Sequence, residues 1–298
     1  LSEDFAPTLD ILADIVRDLI FPDHEVDTRR GEILTGLRQD EDDPAERASE
    51  GVLCDLYGGD HAYGRRPRGS ADTVERVDRD ALRRHHAERV RPDSLSLVIV
   101  GDVEPARATA AAASAFGDWT GVATGTVEVA EVASGSSRRV RVIPMMHKAQ
   151  ADIAYGFISV RRADPDYDAY RLMNNILGQY AIGGRLGDSI RERQGMAYYV
   201  FSALEANLIP GPLIIRAGVS PADVDRAVAS IDEQLETLAM DGPTESEMIE
   251  STQYLIGSMP RALETNFGIA AFLQAEEQLG LGLDYDLRVP GLLRAVTR

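Results

Sequence analysis

Arg191 and Tyr198 stand seven positions apart in SIRERQGMAYYVFSA (189–203), with Gly195 between them. One is a permanently charged guanidinium with several N–H donors, the other a phenol that both donates and accepts. At this spacing they are either the polar arms of an active site or a helix end followed by a strand. Gly195 stops the charged turn in the manner of an ordinary surface helix, and AYYVFSALEA has the aromatic and β-branched content of a half-buried strand. Local pattern alone leaves the second alternative the simpler one.

Other residue types able to do chemistry are scattered. His85 and His86 are adjacent, so their side chains diverge on a helix, and with Glu88 they form HHAE, which is not a metal-ligand spacing. His24 and His61 fall in turns and His147 stands alone before a strand, so all five histidines read as surface or capping groups. No H-x-x-E-H occurs. Cys54 is the single cysteine, which excludes an internal disulfide and a cysteine-rich metal site. The acidic run RQDEDDPAE (38–46) lacks the alternating ligands and central glycine of a calcium loop and reads as a solvated helix face. GGRLG (183–187) has no Lys-Ser/Thr after it; it is a turn that lets the next helix approach a domain interface, not a phosphate loop.

The elements that must position these residues follow from periodicity. Leu9, Leu12, Ile15, Val16 and Leu19 mark one face of a first helix; a second restarts after Pro22, and a third runs to the glycines at 58 and 59. A loop, a short polar segment, another helix and a Pro92 turn lead to the strand SLSLVIVG (94–101), then to a helix closing near Trp119. Residues 120–138 are small, β-branched and Gly/Ser-rich, without helical period, and read as a linker. Beyond it come the strands RVRVIPM (139–145) and QADIAYGFIS (150–159), a helix, the charged turn with Arg191, two more strands and two long helices that finish the chain. The second of these runs up to or past Pro260.

The pattern LSEDFAPTLDILADIVRD…FPDHEVDTRRGEIL returns as VSPADVDRAVASIDEQLET…GPTESEMIESTQYL: helix, proline turn, acidic cap, helix. TVERVDRDALRRHH in the first copy lines up with LLRAVTR in the second. The expected fold is therefore α+β: two repeated strand-helix sandwich domains, at 1–119 and 139–298, joined by the 120–138 linker. The second copy stops where the first continues, and its leading strands have no counterpart before Leu1. The chain is thus expected to be a fragment lacking the N-terminal part of the first domain and the C-terminal end of the second. Over its 298 residues the net charge is −18, which speaks against nucleic acid or an anionic membrane as partner. No apolar run reaches the roughly 20 residues of a membrane span. The first residues carry no signal-peptide pattern, and the chain does not begin with Met. The compartment, bacterial cytoplasm or periplasm, stays open.

FPDHEVDTRRGEIL, GDHAYGRRPRG, VRPDSLSLVIVGDV, KAQADIAYGF, GGRLGDSIRERQGMAYYVFS and GVSPADVDRAVASI, in this order and spacing, resemble the pitrilysin/insulinase-type (inverzincin) zinc peptidases. Within them, the likeness is to the bacterial relatives of mitochondrial processing peptidase. The resemblance implies two domains that close around an extended peptide. An H-x-x-E-H helix, whose place is upstream of Leu1, would bind zinc, and a distal Glu would be the third ligand. An Arg and a Tyr in a pattern like R-x-x-x-G-x-x-Y would reach the peptide and the oxyanion; here these are Arg191 and Tyr198. Active relatives read like E-R-G-V-I-L-E-E-I at the distal segment. Laid over RRGEILTGL (29–37), that pattern puts Arg29 at the supporting Glu and Gly36 at the ligand. Glycine has no donor atom, and a guanidinium beside Zn²⁺ repels it. Glu32 lies one turn back, too far to substitute.

The resemblance thus implies a zinc-lacking, non-catalytic subunit of a heteromeric metallopeptidase, with no cofactor of its own and zinc in a paralogous partner. A homodimer is a further option. The alternatives are a stand-alone zinc endopeptidase with an intact upstream motif, or a non-enzymatic peptide-binding or scaffold relative.

Overall fold

A computed structural model describes residues 4–121, 130, 132, 137–179 and 183–298. Six helices come first: α1 (Phe5–Arg17), α2 (Asp23–Glu41), α3 (Pro44–Tyr57), α4 (Ala71–Glu75), α5 (Arg79–Arg89) and α6 (Pro105–Phe116). Then follow β1 (Ala151–Ile158), α7 (Tyr167–Leu177), the short α8 (Gly184–Leu186), β2 (Ala197–Leu204) and β3 (Pro212–Val219). The chain continues through α9 (Val224–Asp241), α10 (Glu245–Ala262), α11 (Asn266–Leu279) and α12 (Tyr285–Ala295). The mixture is α+β, as the sequence predicts, with one small antiparallel sheet among the described residues.

Two compact units are present: Leu1–Leu37 with Arg68–Glu128 and Arg261–Gln278, and Arg38–Pro67 with Val129–Pro260 and Leu279–Arg298. Each draws on residues from both sides of the expected 120–138 linker, most of which lies outside the described residues.

In the first unit α1 buries Leu9 and Ala13 against Ala115 of α6, with Phe5, Leu97, Ala111 and Phe116 around them. Arg17 ends α1 by donating to the Ala115 carbonyl at 2.6 Å and to the Asp118 carboxylate at 2.8 Å. Such a cation at a helix C-terminus also meets the negative end of the helix dipole. The polar segment after the loop is a true helical turn, α4, closed by a capping box between Ser70 and Thr73.

The second unit holds the sheet, ordered β1-β3-β2, with β3 central and both neighbours antiparallel to it. Val200, Ile215, Ala217 and Val219 line one face and pack on Leu177 of α7, Leu186, Ile190, and Ala227 and Ile231 of α9. Each fully buried Leu or Ile there contributes roughly 1.5–3 kcal/mol. On the other face α3 lies over β1, and Gly156 lets it approach: a Cβ there would come within 2.5 Å of Val52 and 2.7 Å of Leu56.

Three expectations need correction. SLSLVIVG and RVRVIPM are not strands, because an apolar extended run becomes one only when a neighbour completes its ladder. Neither has such a neighbour among the described residues. The 139–141 stretch instead turns its arginines to α3, where Arg141 Nε donates to Asp55 at 2.9 Å. Two helices do not finish the chain, for α11 and α12 follow α10, and α10 runs past Pro260. The acidic run is ion-paired, not merely solvated: Glu41 meets Arg66 at 2.5 Å and Arg47 at 3.1 Å, and Asp42 meets Lys148 at 2.8 Å.

Candidate functional site

Arg191 is delivered by a tightly constrained segment. Gly184 (φ +85°) turns the chain where a Cβ would stand 2.8 Å from the Ile176 carbonyl oxygen and 2.9 Å from Gly178 backbone atoms, so no other residue fits. Arg185 then anchors the segment to the α9–α10 turn. Its Nε and Nη2 donate to the two Glu247 oxygens at 2.7 and 2.8 Å, and Nη2 also donates to the Gly242 carbonyl at 3.0 Å. That guanidinium, helped by the Thr244 N–H and hydroxyl, holds the Glu247 carboxyl down at about 2 against burial. Leu186 and Ile190 are fully buried beneath the segment.

From Gly187 to Arg193 the backbone winds as a π-helical turn, a form that recurs at functional sites. Gly195, at φ +62°, ends it: its N–H donates to the Arg191 carbonyl at 3.0 Å, and Met196 N–H donates to that of Ile190 at 3.1 Å. Gln194 Nε2 donates to Ser230 on α9 at 3.0 Å. The Arg191 side chain is half-buried, with Nε 3.8 Å from the Glu192 carboxylate.

Tyr198 begins β2 differently from a regular strand. Ala197 pairs with Val219 and Tyr199 with Gly218, so two residues of β2 oppose one of β3 and Tyr198 is the extra one. Simple alternation from Val200 and Ser202, both buried, would aim Tyr198 into the core. The bulge hands that core position to Ala197 and leaves Tyr198 83% exposed. The phenol borders an open cleft of about 370 Å³ that Ala149, Gln150, Gly195, Met196, Ala197, Val219 and Ser220 also line. Arg191 and Tyr198 thus flank one glycine-capped turn, with Tyr198 on the cleft and Arg191 outside its lining.

Gly36, the position that the sequence resemblance sets at a distal metal ligand, offers no donor. Gly36 sits in α2, and a Cβ there would overlap the Arg68 guanidinium, which occupies the space a ligand side chain needs. Arg29 is held by Glu32 at 2.8 Å on the exposed side of the same helix, so Glu32 is a paired surface carboxylate. A cation over Gly36 does not fit a zinc site. Among the described residues no three His, Cys, Asp or Glu side chains gather where a metal ion could sit.

Four of the five histidines have structural settings that the chain shows directly. His86 Nε2 bonds the Val16 carbonyl at 2.7 Å and its ring meets Phe21 edge-on. His61 stacks on Tyr57 at 5.3 Å and its Nδ1 accepts the Tyr63 N–H at 3.0 Å. His24 lies 3.3 Å from Glu25 on the surface, and His147 occupies a positive-φ turn. Sequence reasoning passed over Arg185 and Tyr199. The first lay inside GGRLG, set aside as a plain turn; the second was signalled only by the doubled tyrosine of AYYVF.

The profile described as "Peptidase M16 inactive domain" matches residues 76–253, and the chain belongs to that family. A Streptomyces coelicolor protein named an uncharacterized zinc protease is 26% identical over 89% of this chain and 58% of its own length. A Mycobacterium tuberculosis protein of the same description is 28% identical over 89% of this chain and 60% of its own. The chain therefore spans about three-fifths of the curated relatives it matches. The fold matches a peptidase M16 inactive domain from Pseudomonas fluorescens at a TM-score of 0.90 and 24% identity, over 99% of this chain and 69% of that one. A Helicobacter pylori protease matches at 0.88 and 17% identity, over 99% and 71%. No described helix is long and apolar enough to cross a membrane.

Proposed function

We propose that this chain is the zinc-lacking subunit of a heteromeric metallopeptidase, in which Arg191 and Tyr198 bind an extended peptide while a paralogous subunit supplies the zinc. The observation that carries the reading is Tyr198, a phenol that a strand bulge diverts from the core to an open cleft. A guanidinium and a phenol both donate to the oxyanion that develops as water adds to the scissile carbonyl. Donors already aimed at that charge need no reorganisation during the reaction, and losing one such donor lowers kcat by roughly 10²–10³. The guanidinium over Gly36 supports placing the metal in the partner. Membership of the inactive-domain family supports the same division of labour. The proposal includes the two repeated domains, 1–119 and 139–298, with 120–138 between them.

A second reading, a stand-alone zinc peptidase, is favoured by the names of the curated relatives. One experiment separates them. The full subunit is assayed for peptidase activity and zinc alone, and mixed with an H-x-x-E-H-bearing paralogue from the same genome. The expected result is activity only in the mixture, zinc on the paralogue, and a loss of about a hundredfold on Arg191→Ala or Tyr198→Phe. Zinc and activity in this chain alone establish the second reading. Silence in both preparations leaves a binding or scaffold protein.

A further inference from the structure

We propose that Gln150 is a specificity-determining residue of the cleft: its side-chain oxygen accepts a hydrogen bond from a backbone N–H of the bound peptide, beside the phenol of Tyr198. This rests on the reading of the cleft as the peptide site. The lining offers an amide (Gln150), a phenol (Tyr198) and a hydroxyl (Ser220) among apolar and backbone surfaces. Among the described lining residues no side chain is a carboxylate, an ammonium, a guanidinium or an imidazole. A charged ligand group would lose its hydration there without gaining a counter-ion. A neutral group that both donates and accepts matches the set, and a peptide unit is such a group.

The Gln150 amide is fixed in one sense. Its Nε2 donates to Asp152 Oδ1 at 2.9 Å. A carboxylate oxygen only accepts, so the reversed amide would set oxygen against oxygen. Asp152 is itself held, for the Tyr199 hydroxyl donates to the same oxygen at 2.5 Å. Glycine at 218 leaves the amide its room: a Cβ there would stand 2.5 Å from Gln150 Nε2. Neither Asp152 nor Gly218 lines the cleft, so the nitrogen is turned to groups outside the lining. The polar atom that Gln150 has left is its side-chain oxygen, an acceptor. Tyr198 can donate and Gln150 can accept on one cleft, so a carbonyl and an N–H of an extended peptide both find partners there. An ester in place of that amide lacks the N–H and leaves the Gln150 oxygen unanswered.

The test uses analogues of a peptide that the mixture cleaves, each with one amide other than the scissile one replaced by an ester, which deletes a single N–H. With the parent chain, one replacement is expected to lower kcat/KM about tenfold. Gln150→Met keeps the shape without the acceptor; it slows the all-amide substrate about tenfold, and the same replacement then has no further effect. Should Gln150→Met fail to fold, Gln150→Ala takes its place. Ester effects that are equal at every position in the parent and variant mixtures overturn the proposal. Binding to the full chain alone gives a second readout. A capped peptide of alanine, glycine and serine should shift the Gln150 side-chain amide resonances, and the matching ester should bind about tenfold more weakly to the parent only. That binding pattern with an inactive mixture sinks the functional reading and keeps the Gln150 assignment. Activity that depends on Tyr198, with ester effects indifferent to Gln150, does the reverse. An inactive mixture with no shift and no affinity difference overturns both.

Discussion

Removing Glu247 or Arg185 should release the segment that carries Arg191, and the size of the effect follows from the carboxyl's environment. Glu247 accepts both Arg185 bonds and those of the Thr244 N–H (2.7 Å) and hydroxyl (2.9 Å). Its pKa falls from 4.5 to about 2. At about 1.36 kcal/mol per pH unit, that interval corresponds to an upper limit of about 3.4 kcal/mol of linked stability. Thr244 shares in it and solvent screens the partly exposed carboxylate, which leaves about 2 kcal/mol for the Arg185 pair. The Arg185 side chain is only 12% exposed, so Glu247→Ala strands a buried cation and costs more than the pair is worth, about 3 kcal/mol. The assay is urea unfolding of parent, Arg185→Ala, Glu247→Ala and the double variant at pH 7, with parent and Glu247→Gln repeated from pH 7 to 2. Because the folded pKa lies below the unfolded one, the contribution is complete above about 4.5 and disappears as pH falls toward 2. The advantage of the parent over Glu247→Gln should therefore shrink across that window. A coupling energy under about 0.5 kcal/mol at pH 7, or a parent advantage that is flat from pH 5 to 2, refutes this account.

Two further outcomes test other points of the frame. Gly184→Ala meets backbone, not a movable side chain, and combines this with positive φ, so thermal or urea unfolding should show a loss of about 2–3 kcal/mol. Gly36→Ala brings a Cβ onto the flexible end of Arg68, which must move aside; the gain of about 1 kcal/mol expected for alanine in a helix should be smaller in the parent than in the Arg68→Ala background. Equal effects in both backgrounds would mean that Arg68 does not sit over the glycine.

Much of the helical frame was legible because its cause is local. The α9–α10 pair is readable from apolar period, the Gly242 break and the acidic start of α10, and Gly195 announces the end of the Arg191 turn. The three observed strands were legible from their apolar and β-branched content, and each finds a partner in the sheet. SLSLVIVG misled because strand formation is a property of two segments, and composition describes only one. The α11 and α12 helices were missed, the second of them carrying Pro290 within it, a residue that normally argues against a helix. Spacing set Arg191 and Tyr198 on either side of one turn but could not aim them. Whether Tyr198 faces core or solvent depends on one inserted residue in the pairing of β2 with β3.

The same distinction governs the metal position. On the proposed reading Gly36 stands where a metal ligand is needed, and a missing donor alone is a single substitution away. Arg68, from a loop beyond α3, fills the vacated space with a positive charge. A glutamate restored at 36 would meet that guanidinium within its own reach and pair with it, since a charge-assisted bond formed in place competes directly with metal ligation. On the proposed reading, a zinc ligand at position 36 requires a second change at Arg68. The region of Tyr198 is the opposite case: the bulge at the start of β2 gives the core position to Ala197 and keeps one phenol outside the core. One position covered by a side chain and another opened by a register change are the two features on which the proposed division of labour rests.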